Sequence, residues 1–142
     1  MEQLTYRGTV YPWHCDHMGH MNVMWYTGKF DEATWHLFGS LGLTPQWLKA
    51  HGRGMAAVEQ HTEYRRELHP GDLVSIYSEV VELKAKSLRF RHEMRNEGSG
   101  DVASVTTLVA VHLDTSLRKA SPFAEELQQR WQRDGLVPPA AV

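Results

Sequence analysis

The sequence predicts an α+β domain in which a curved antiparallel β-sheet wraps around one long central α-helix. Two periodicities in the 142-residue chain lead to this class. Apolar residues recur every three or four positions from Val23 to about Phe38, which is typical of one helix face. Farther along, the period changes to two, as in strands with one solvated face. A helix and a sheet of this kind can bury their apolar faces against each other.

The first two elements are a strand and the long helix. The strand is expected over residues 5–13, where Val10 and Tyr11 favour β-structure and Pro12 stands near the exit. Asn22 is in position to cap the helix N-terminus. The apolar positions that define the helix face are Val23, Tyr26, Phe30, Ala33 and Leu37.

A short second helix and four strands follow. Gly39 and Gly42 suit the end of the long helix, and Thr44-Pro45 suits the start of a short helix that ends near Ala50. Turn signals then separate a meander of four strands, expected near residues 55–68, 72–83, 88–96 and 102–114. The alternation is clearest in the third strand, with one face formed by Leu88, Phe90, His92 and Met94.

The C-terminal segment is expected to be a helix and a loose tail. Ser121-Pro122, with Glu125 and Glu126 in the first turn, indicates a helix that runs to about Asp134. The tail begins at about residue 136. A chain of 142 residues is long enough for one core and too short for two, so residues 1–142 are expected to form a single domain.

Composition limits the partners and the compartment. The formal charge of −2 gives no general attraction to nucleic acid, and the single cysteine excludes an internal disulfide and a C-x-x-C motif. The N-terminus lacks a secretory pattern, and no apolar run is long enough to cross a membrane. We therefore expect a cytoplasmic protein without nucleic-acid or membrane partners. Unpaired sheet edges favour pairing across a two-fold axis, so a homodimer is the expected minimum unit.

The most reactive composition lies in residues 13–22, WHCDHMGHMN, which we call the Asp16 loop. It joins the first strand to the long helix, whose N-terminus offers unpaired N–H groups and a partial positive charge. A developing oxyanion could be held there beside a carboxylate, which makes Asp16 the first catalytic candidate. The loop also contains imidazole, thiol and carboxylate groups, but their spacing does not match a metal motif, and we expect no metal.

Residues 16–22, DHMGHMN, are close to the form D-x-x-G-H-x-N. That form belongs to the hotdog-fold acyl-CoA thioesterases of the 4-hydroxybenzoyl-CoA thioesterase type, which residues 5–118 resemble. The acidic pair at 31–32, the segment 64–72 and the run KAKS at 84–87 add to this resemblance. The resemblance implies a curved sheet around a long helix, acyl-CoA hydrolysis and no cofactor.

The resemblance also implies roles for five residues of the Asp16 loop and the helix start. Asp16 is the catalytic carboxylate, acting as nucleophile or as general base on water. The backbone N–H that aligns with the family's oxyanion donor belongs to Val23, and Gly19 matches the loop glycine. His20 either orients the loop or is a structural histidine. Asn22 replaces the aromatic residue of the 4-hydroxybenzoyl branch, and its amide could cap the helix while pointing toward Asp16.

Coenzyme A carries phosphates, so basic residues are expected to bind it. Lys84 and Lys86, with Ser87 in the same turn, match a basic run that the family uses, although hairpin lysines are usually only solvated. Arg65 could help. His61 and Tyr64 of one chain are expected beside the Asp16 loop of the other chain in a homodimer or a dimer of dimers, although alternating polar residues near His61 usually mark a solvated face.

The sequence leaves three functions open. The first is hydrolysis of an acyl-CoA thioester to a free acid and coenzyme A. The second is a hotdog hydratase or dehydratase, although the separation of Asp16 and His20 does not match its D-x-x-x-x-H form. The third is a non-catalytic acyl-CoA-binding module, in which an ionised Asp16 would lack a purpose. The acyl group is not defined by the sequence.

Overall fold

The computed structural model describes residues 1–139. Its strands are β1 (Gln3–Thr9), β2 (Arg53–Tyr64), β3 (Leu73–Leu83), β4 (Ser87–Asn96), β5 (Val102–Asp114) and the short β6 (Lys119–Ala120). Its helices are α1 (Val23–Ser40), α2 (Pro45–Ala50) and α3 (Glu125–Arg133), with a 3₁₀ turn at Pro12–His14. Within residues 1–139, no helix has the length and apolar character needed to span a bilayer.

The strands form one antiparallel sheet in the order β1-β3-β4-β5-β2, with β6 paired to β5. Register shifts in four of the five pairs accompany its curvature. The curved antiparallel sheet is therefore confirmed. The four-strand meander is wrong, because only β3, β4 and β5 follow one another, and β2 pairs with the far side of β5.

The connection between β2 and β3 explains this strand order. Residues 65–72 are too many for a tight hairpin, and they contain Leu68, which is fully buried. The Leu68 carbonyl accepts a hydrogen bond of 2.7 Å from Met21 N–H, so the connection packs beneath the Asp16 loop. β1 occupies the edge of β3 that a hairpin partner would have taken.

Helix α1 spans 18 residues and packs one face against the sheet. Tyr26, Phe30, Ala33 and Leu37 are buried as predicted. Val23 is 56% exposed, so its predicted place on the apolar face is wrong. The buried face of α1 begins at Tyr26, and Val23, about one turn earlier, lines a cavity instead.

The main differences from the predicted bounds lie at the ends of three elements. β2 ends at Tyr64 and not near residue 68, because the chain enters the buried connection that contains Leu68. β1 ends at Thr9, because Pro12 begins a 3₁₀ turn that ends the extended segment. Helix α3 begins at Glu125 and not at Ser121-Pro122, since β6 and the hydrogen bond from Ser121 N–H to the His112 carbonyl keep that segment extended.

The alternation in β4 is confirmed, with Leu88, Phe90, His92 and Met94 all fully buried. In the expected C-terminal tail, Val137 is buried in the core cluster that includes Trp131. Residues 140–142 of that tail lie outside the described residues.

Candidate active site

The Asp16 loop is held by backbone hydrogen bonds. Gly19 N–H donates to the Asp16 carbonyl (3.0 Å), and Asp16 N–H donates to the His20 carbonyl (3.2 Å). Gly19 has φ +88°, a conformation that side-chain-bearing residues rarely adopt. At the end of the loop, Asn22 N–H donates to the His14 carbonyl (2.9 Å). The loop therefore has a defined path from the sheet to the helix start.

The Asp16 carboxylate is half-buried and held through both oxygens. Oδ2 accepts from the side-chain amide of Asn22 at 2.8 Å, and Oδ1 accepts from Met18 N–H at 2.8 Å. These hydrogen bonds, first that of Asn22 and then that of Met18, lower the pKa of Asp16 below its usual value. Asp16 is thus ionised at neutral pH and has a fixed orientation.

Asn22 makes both of the contacts considered for its amide. Its Oδ1 accepts from Met24 N–H at 2.9 Å and caps α1, while its Nδ2 donates to Asp16. The cap leaves the N–H of Val23, the first helical residue, without an acceptor among residues 1–139. That N–H is therefore a free donor at the positive end of the helix.

A cavity of ≈ 200 Å³ lies against the helix start. It is lined by His20, Met21, Val23, Tyr26, Tyr64, Arg65, Arg66 and Glu67. The structure thus brings together four of the predicted site residues, His20, Val23, Tyr64 and Arg65. Asp16, Gly19 and Asn22 lie in the adjoining loop and do not line the cavity.

Tyr26 joins the helix to the cavity wall, a position that the sequence indicated only as apolar. Its ring packs edge-on against Tyr64 at 5.2 Å between centroids, and its hydroxyl donates to the Arg66 carbonyl at 3.0 Å. Burial raises the pKa of Tyr26 to about 12, so its phenol stays protonated. Tyr64 belongs to the same chain as this cavity, whereas we expected it from a partner.

Glu67 is a site residue that the sequence did not reveal. Its Oε1 lies 3.7 Å from Nε2 of His20, and its Oε2 lies 3.7 Å from Nε2 of His69. His20 therefore has a carboxylate neighbour from the segment before β3. No spacing rule links residue 20 to residue 67, so only the fold brings them together.

His61 does not reach the cavity of its own chain. In the β2–β5 register, His61 pairs with Thr107 and Tyr64 pairs with Ser104. Paired residues share a face, and Ser104 lies on the helix-facing side, so the alternation along β2 puts His61 on the outer face. His61 therefore faces away from the cavity that Tyr64 of the same chain lines, and its place beside the Asp16 loop of a partner chain stays a prediction.

The basic turn is also distant from the Asp16 loop within one chain. Lys84, Lys86 and Ser87 lie at the β3–β4 turn, and Lys84 Nζ is 3.9 Å from Glu82 Oε1. The Asp16 loop lies at the other end of β3, where Val10 N–H donates to the Asp72 carbonyl. A strand of this length spans roughly 30 Å. One chain therefore cannot place the basic turn beside Asp16.

Two further groups of the Asp16 loop bear on its chemistry. Cys15 is a free thiol whose Sγ lies 3.7 Å from the Tyr11 carbonyl, and burial raises its pKa. It therefore stays protonated and is a poor nucleophile. In residues 1–139, no three His, Cys, Asp or Glu side chains are grouped so that they could hold a metal ion.

Comparison with known proteins gives one family and two curated relatives. The sequence model of the family described as the thioesterase-like superfamily matches residues 10–131. Betainyl-CoA thioesterase of Pseudomonas aeruginosa is 26% identical over 126 residues, which are 89% of this chain and 79% of that protein. Long-chain acyl-CoA thioesterase FadM of Escherichia coli is 27% identical over 121 residues, 85% of this chain and 91% of that protein.

Solved structures share the fold. A Staphylococcus aureus protein in complex with CoA has a TM-score of 0.87 and 22% identity, with 100% of this chain and 90% of that one covered. The probable thioesterase YbaW of Escherichia coli has a TM-score of 0.77 and 26% identity, with 97% and 99% covered. The overall fold of the chain is therefore that of these proteins.

Proposed function

The chain belongs to the thioesterase-like superfamily, and we propose that it hydrolyses an acyl-CoA thioester to a carboxylic acid and coenzyme A. Two relatives are named as thioesterases of betainyl-CoA and of long-chain acyl-CoA. The observation that carries the proposal is the position of the Asp16 carboxylate, hydrogen-bonded to the residue that caps α1. An ionised carboxylate and a free backbone donor at one helix start are the two groups that this hydrolysis needs.

In the proposed mechanism, the thioester oxygen accepts a hydrogen bond from Val23 N–H. Asp16 then acts in one of two ways. As a nucleophile it attacks the carbonyl carbon and expels coenzyme A as the thiolate, and water cleaves the resulting anhydride. As a general base it takes a proton from water, which attacks the same carbon, and the C–S bond then breaks to expel coenzyme A as the thiolate. In both routes the carbonyl oxygen gains negative charge, and the helix N-terminus stabilises that charge.

Isotope labelling separates the two roles of Asp16. If Asp16 is the nucleophile and water attacks the Asp16 carbonyl carbon of the anhydride, a single turnover in H₂¹⁸O with excess enzyme leaves the new product oxygen unlabelled, because it comes from the carboxylate. The Asp16 side chain would then carry ¹⁸O, detectable by mass spectrometry of its peptide. A general base, or attack of water on the acyl carbon of the anhydride, puts the label in the product, so ¹⁸O in Asp16 is the outcome that identifies the nucleophile.

The active unit in this proposal is a homodimer or a dimer of dimers. β2 is the last strand of the sheet path, and its side away from β5 is unpaired among residues 1–139. Val58 and Tyr64 on this strand are 60% and 50% exposed. Antiparallel pairing of β2 with β2 of a second copy would continue the sheet and cover this edge.

Such pairing would also bring the basic β3–β4 turn of the second copy toward the Asp16 loop of the first. A two-fold axis across β2 reverses the direction of the second sheet, so its β3–β4 turn lies at the Asp16 end of the first. Lys84 and Lys86 of the second copy, with Ser87, would then face the cavity that contains Arg65. Their ammonium groups suit the phosphates of coenzyme A. The basic residues that lie apart within one chain thus have a role in the dimer.

Thiol release from a panel of acyl-CoAs tests the proposed function. The panel includes betainyl-CoA, a long-chain acyl-CoA, a short-chain one and an aromatic one. Free thiol is expected from at least one of them with the wild-type protein and not with Asp16→Asn. A change in alkene absorbance without thiol would indicate a hydratase. Binding of acyl-CoA without either signal would indicate a non-catalytic module.

A further inference from the structure

A second cavity lies between β1 and α1. Its volume is ≈ 620 Å³, and it shares no lining residue with the cavity at the helix start. Neither Asp16 nor Asn22 lines it. The mechanism proposed above therefore makes no use of this space, which we call the β1–α1 cavity.

Lys29 gives the β1–α1 cavity a buried positive group. The residue is 3% exposed, and its Nζ donates to the Tyr6 hydroxyl at 2.9 Å and lies 5.3 Å from the centre of that ring. No Asp or Glu of residues 1–139 forms an ion pair with it. An ammonium has three donors, and buried charges are normally paired. Lys29 therefore lacks a counter-ion.

Two glycines shape the walls of the β1–α1 cavity. A Cβ at Gly8 would lie 2.2 Å from the Tyr6 hydroxyl oxygen, so only glycine lets the Tyr6 ring fold back over β1 toward Lys29. Gly28 on α1 lines the opposite wall and contributes no side chain. Gly8 thus accommodates the Tyr6 ring that contacts Lys29, and Gly28 leaves the α1 wall without a side chain.

Aromatic rings form the apolar part of the cavity wall. Tyr11 and Trp13 stack at 4.5 Å with an interplanar angle of 9°, and they are 45% and 66% exposed. Trp25 packs on His14 with ring centroids 4.4 Å apart. Exposed indole and phenol faces offer contact area to an apolar ligand body. The cavity therefore combines one buried cation with apolar walls.

We propose that the β1–α1 cavity binds an organic carboxylate with an apolar body. The carboxylate pairs with Lys29, and the body packs against Trp13 and Trp25. Glu32 also lines the cavity and is exposed, so its charge opposes the ligand from the solvent side. Two sources have this chemistry, a free carboxylic acid and the far carboxylate of a dicarboxylic acyl-CoA. The first source is independent of the proposed thioesterase function, and the second rests on it.

Calorimetric titration with benzoate and hexanoate tests the site without any turnover. The wild-type protein should bind at least one of them, and benzamide, which is neutral, should bind about tenfold more weakly than benzoate or worse. Lys29→Met should lose about tenfold or more of the carboxylate affinity. Lys49→Met removes an exposed lysine from α2 and is the matched control, with unchanged affinity. Binding of neither carboxylate, or equal binding by Lys29→Met, would overturn the proposal.

Thermal melts add a readout that a purely structural lysine would not give. Lys29→Met removes an unpaired buried charge, so the ligand-free variant should melt at or above the wild-type temperature. A lower melting temperature would mean that Lys29 serves packing, and the proposal would be wrong. If Lys29→Met does not fold, Glu32→Gln tests the same charge pattern. It should tighten benzoate binding about threefold, and unchanged or weaker binding would count against the site.

Kinetics distinguish the two sources of the carboxylate. If the acyl chain supplies it, Lys29→Met should raise KM for glutaryl-CoA and leave hexanoyl-CoA unchanged, and benzoate should compete with glutaryl-CoA. If a free acid is the ligand, both KM values stay unchanged while the calorimetric loss remains. Failure of the thioesterase proposal would abolish thiol release from every acyl-CoA, yet it would leave the calorimetric result intact. The two proposals can therefore fail separately.

Discussion

The side-chain amide nitrogen of Asn22 lies 2.8 Å from Oδ2 of Asp16, and the amide oxygen of the same side chain caps α1 through Met24 N–H. One side chain thus joins the carboxylate to the helix start. The carboxylate cannot turn away without breaking this link, and the free N–H of Val23 follows directly in the chain. The proposed catalytic carboxylate and oxyanion donor are therefore coupled through a single residue.

Replacing Asp16 by Asn should remove most turnover. The change is near-isosteric and removes only the negative charge, so the fold and acyl-CoA binding should remain. Loss of a nucleophile or general base typically costs about 100-fold or more in rate. Thiol release and acyl-CoA binding should be measured together, with Asp101→Asn in an exposed turn as the control. Turnover by Asp16→Asn within about threefold of wild type would rule out its catalytic role.

The pH dependence of kcat/KM should report the lowered pKa of Asp16. Asn22 and, second, Met18 stabilise the ionised form, so the carboxylate stays charged below the pH at which an ordinary Asp is protonated. Activity is expected to hold as pH falls toward that ordinary value and to drop only below it. In Asn22→Ala, the acid limb should move upward, because the stronger of the two donors is lost. An acid limb that stays in place would show that Asp16 does not govern the profile.

Asn22 and Thr44 form a matched pair for separating stability from catalysis. Both cap a helix, since Thr44 Oγ1 accepts from Trp47 N–H at 3.1 Å, but only Asn22 contacts Asp16. Replacement of either by Ala should cost about 1 kcal/mol of unfolding free energy. Only Asn22→Ala should also lower kcat, which denaturant melts and thiol release would show. Equal kcat losses in both variants would mean that the Asn22 effect is one of stability alone.

Mixing inactive chains tests which residues are shared between subunits. In a dimer formed through β2, a chain with Asp16→Asn and one with both Lys84→Ala and Lys86→Ala form a heterodimer that retains one intact site. Statistical mixing should restore about a quarter of wild-type activity. A mixture of Asp16→Asn with Tyr64→Ala should restore none, because Tyr64 lines the cavity of its own chain. Recovery in the second mixture and not in the first would reverse the assignment.

Local features were predictable from the sequence, because short stretches of chain specify them. The Asn22 cap, the Thr44-Pro45 start and the alternation along β4 all depend on residues near one another in sequence. The order of the strands was not predictable, since the pairing of β2 with β5 depends on the buried connection that contains Leu68. Alternation in a sequence does not show which strands are neighbours in the sheet.

The same limit applies to the candidate site. The Asp16 loop was found because its reactive groups are contiguous, and its family motif is local. Glu67 was missed because only the connection before β3 brings it within 3.7 Å of His20. The face of β2 that His61 occupies follows from its register with Thr107, which the sequence does not specify. Nothing in the sequence singles out Lys29, since a lysine in a helix is usually solvated. Its burial against Tyr6 depends on the tertiary structure.

The proposed oxyanion donor, the backbone N–H of Val23, can be tested by a substitution that removes this N–H. Val23 is the first residue of α1, where proline is tolerated, and Asn22 has φ −73° and ψ 148°, the extended conformation that a following proline requires. Val23→Pro should therefore fold while losing the backbone N–H. Val23→Ala keeps that N–H and is the matched control, with mild effects expected because the side chain is 56% exposed.

Loss of the Val23 N–H should slow the chemical step and leave acyl-CoA binding in place. Removing one oxyanion donor typically costs about 3 kcal/mol in the barrier, so Val23→Pro should cut kcat on the order of 100-fold. Circular dichroism and the oligomeric state check the fold, and thiol release measures the rate. If Val23→Pro folds, assembles and keeps a kcat near that of Val23→Ala, the thioester oxygen is held by another donor. The coupling of Asp16 to the helix start through Asn22 would then serve only to fix the carboxylate.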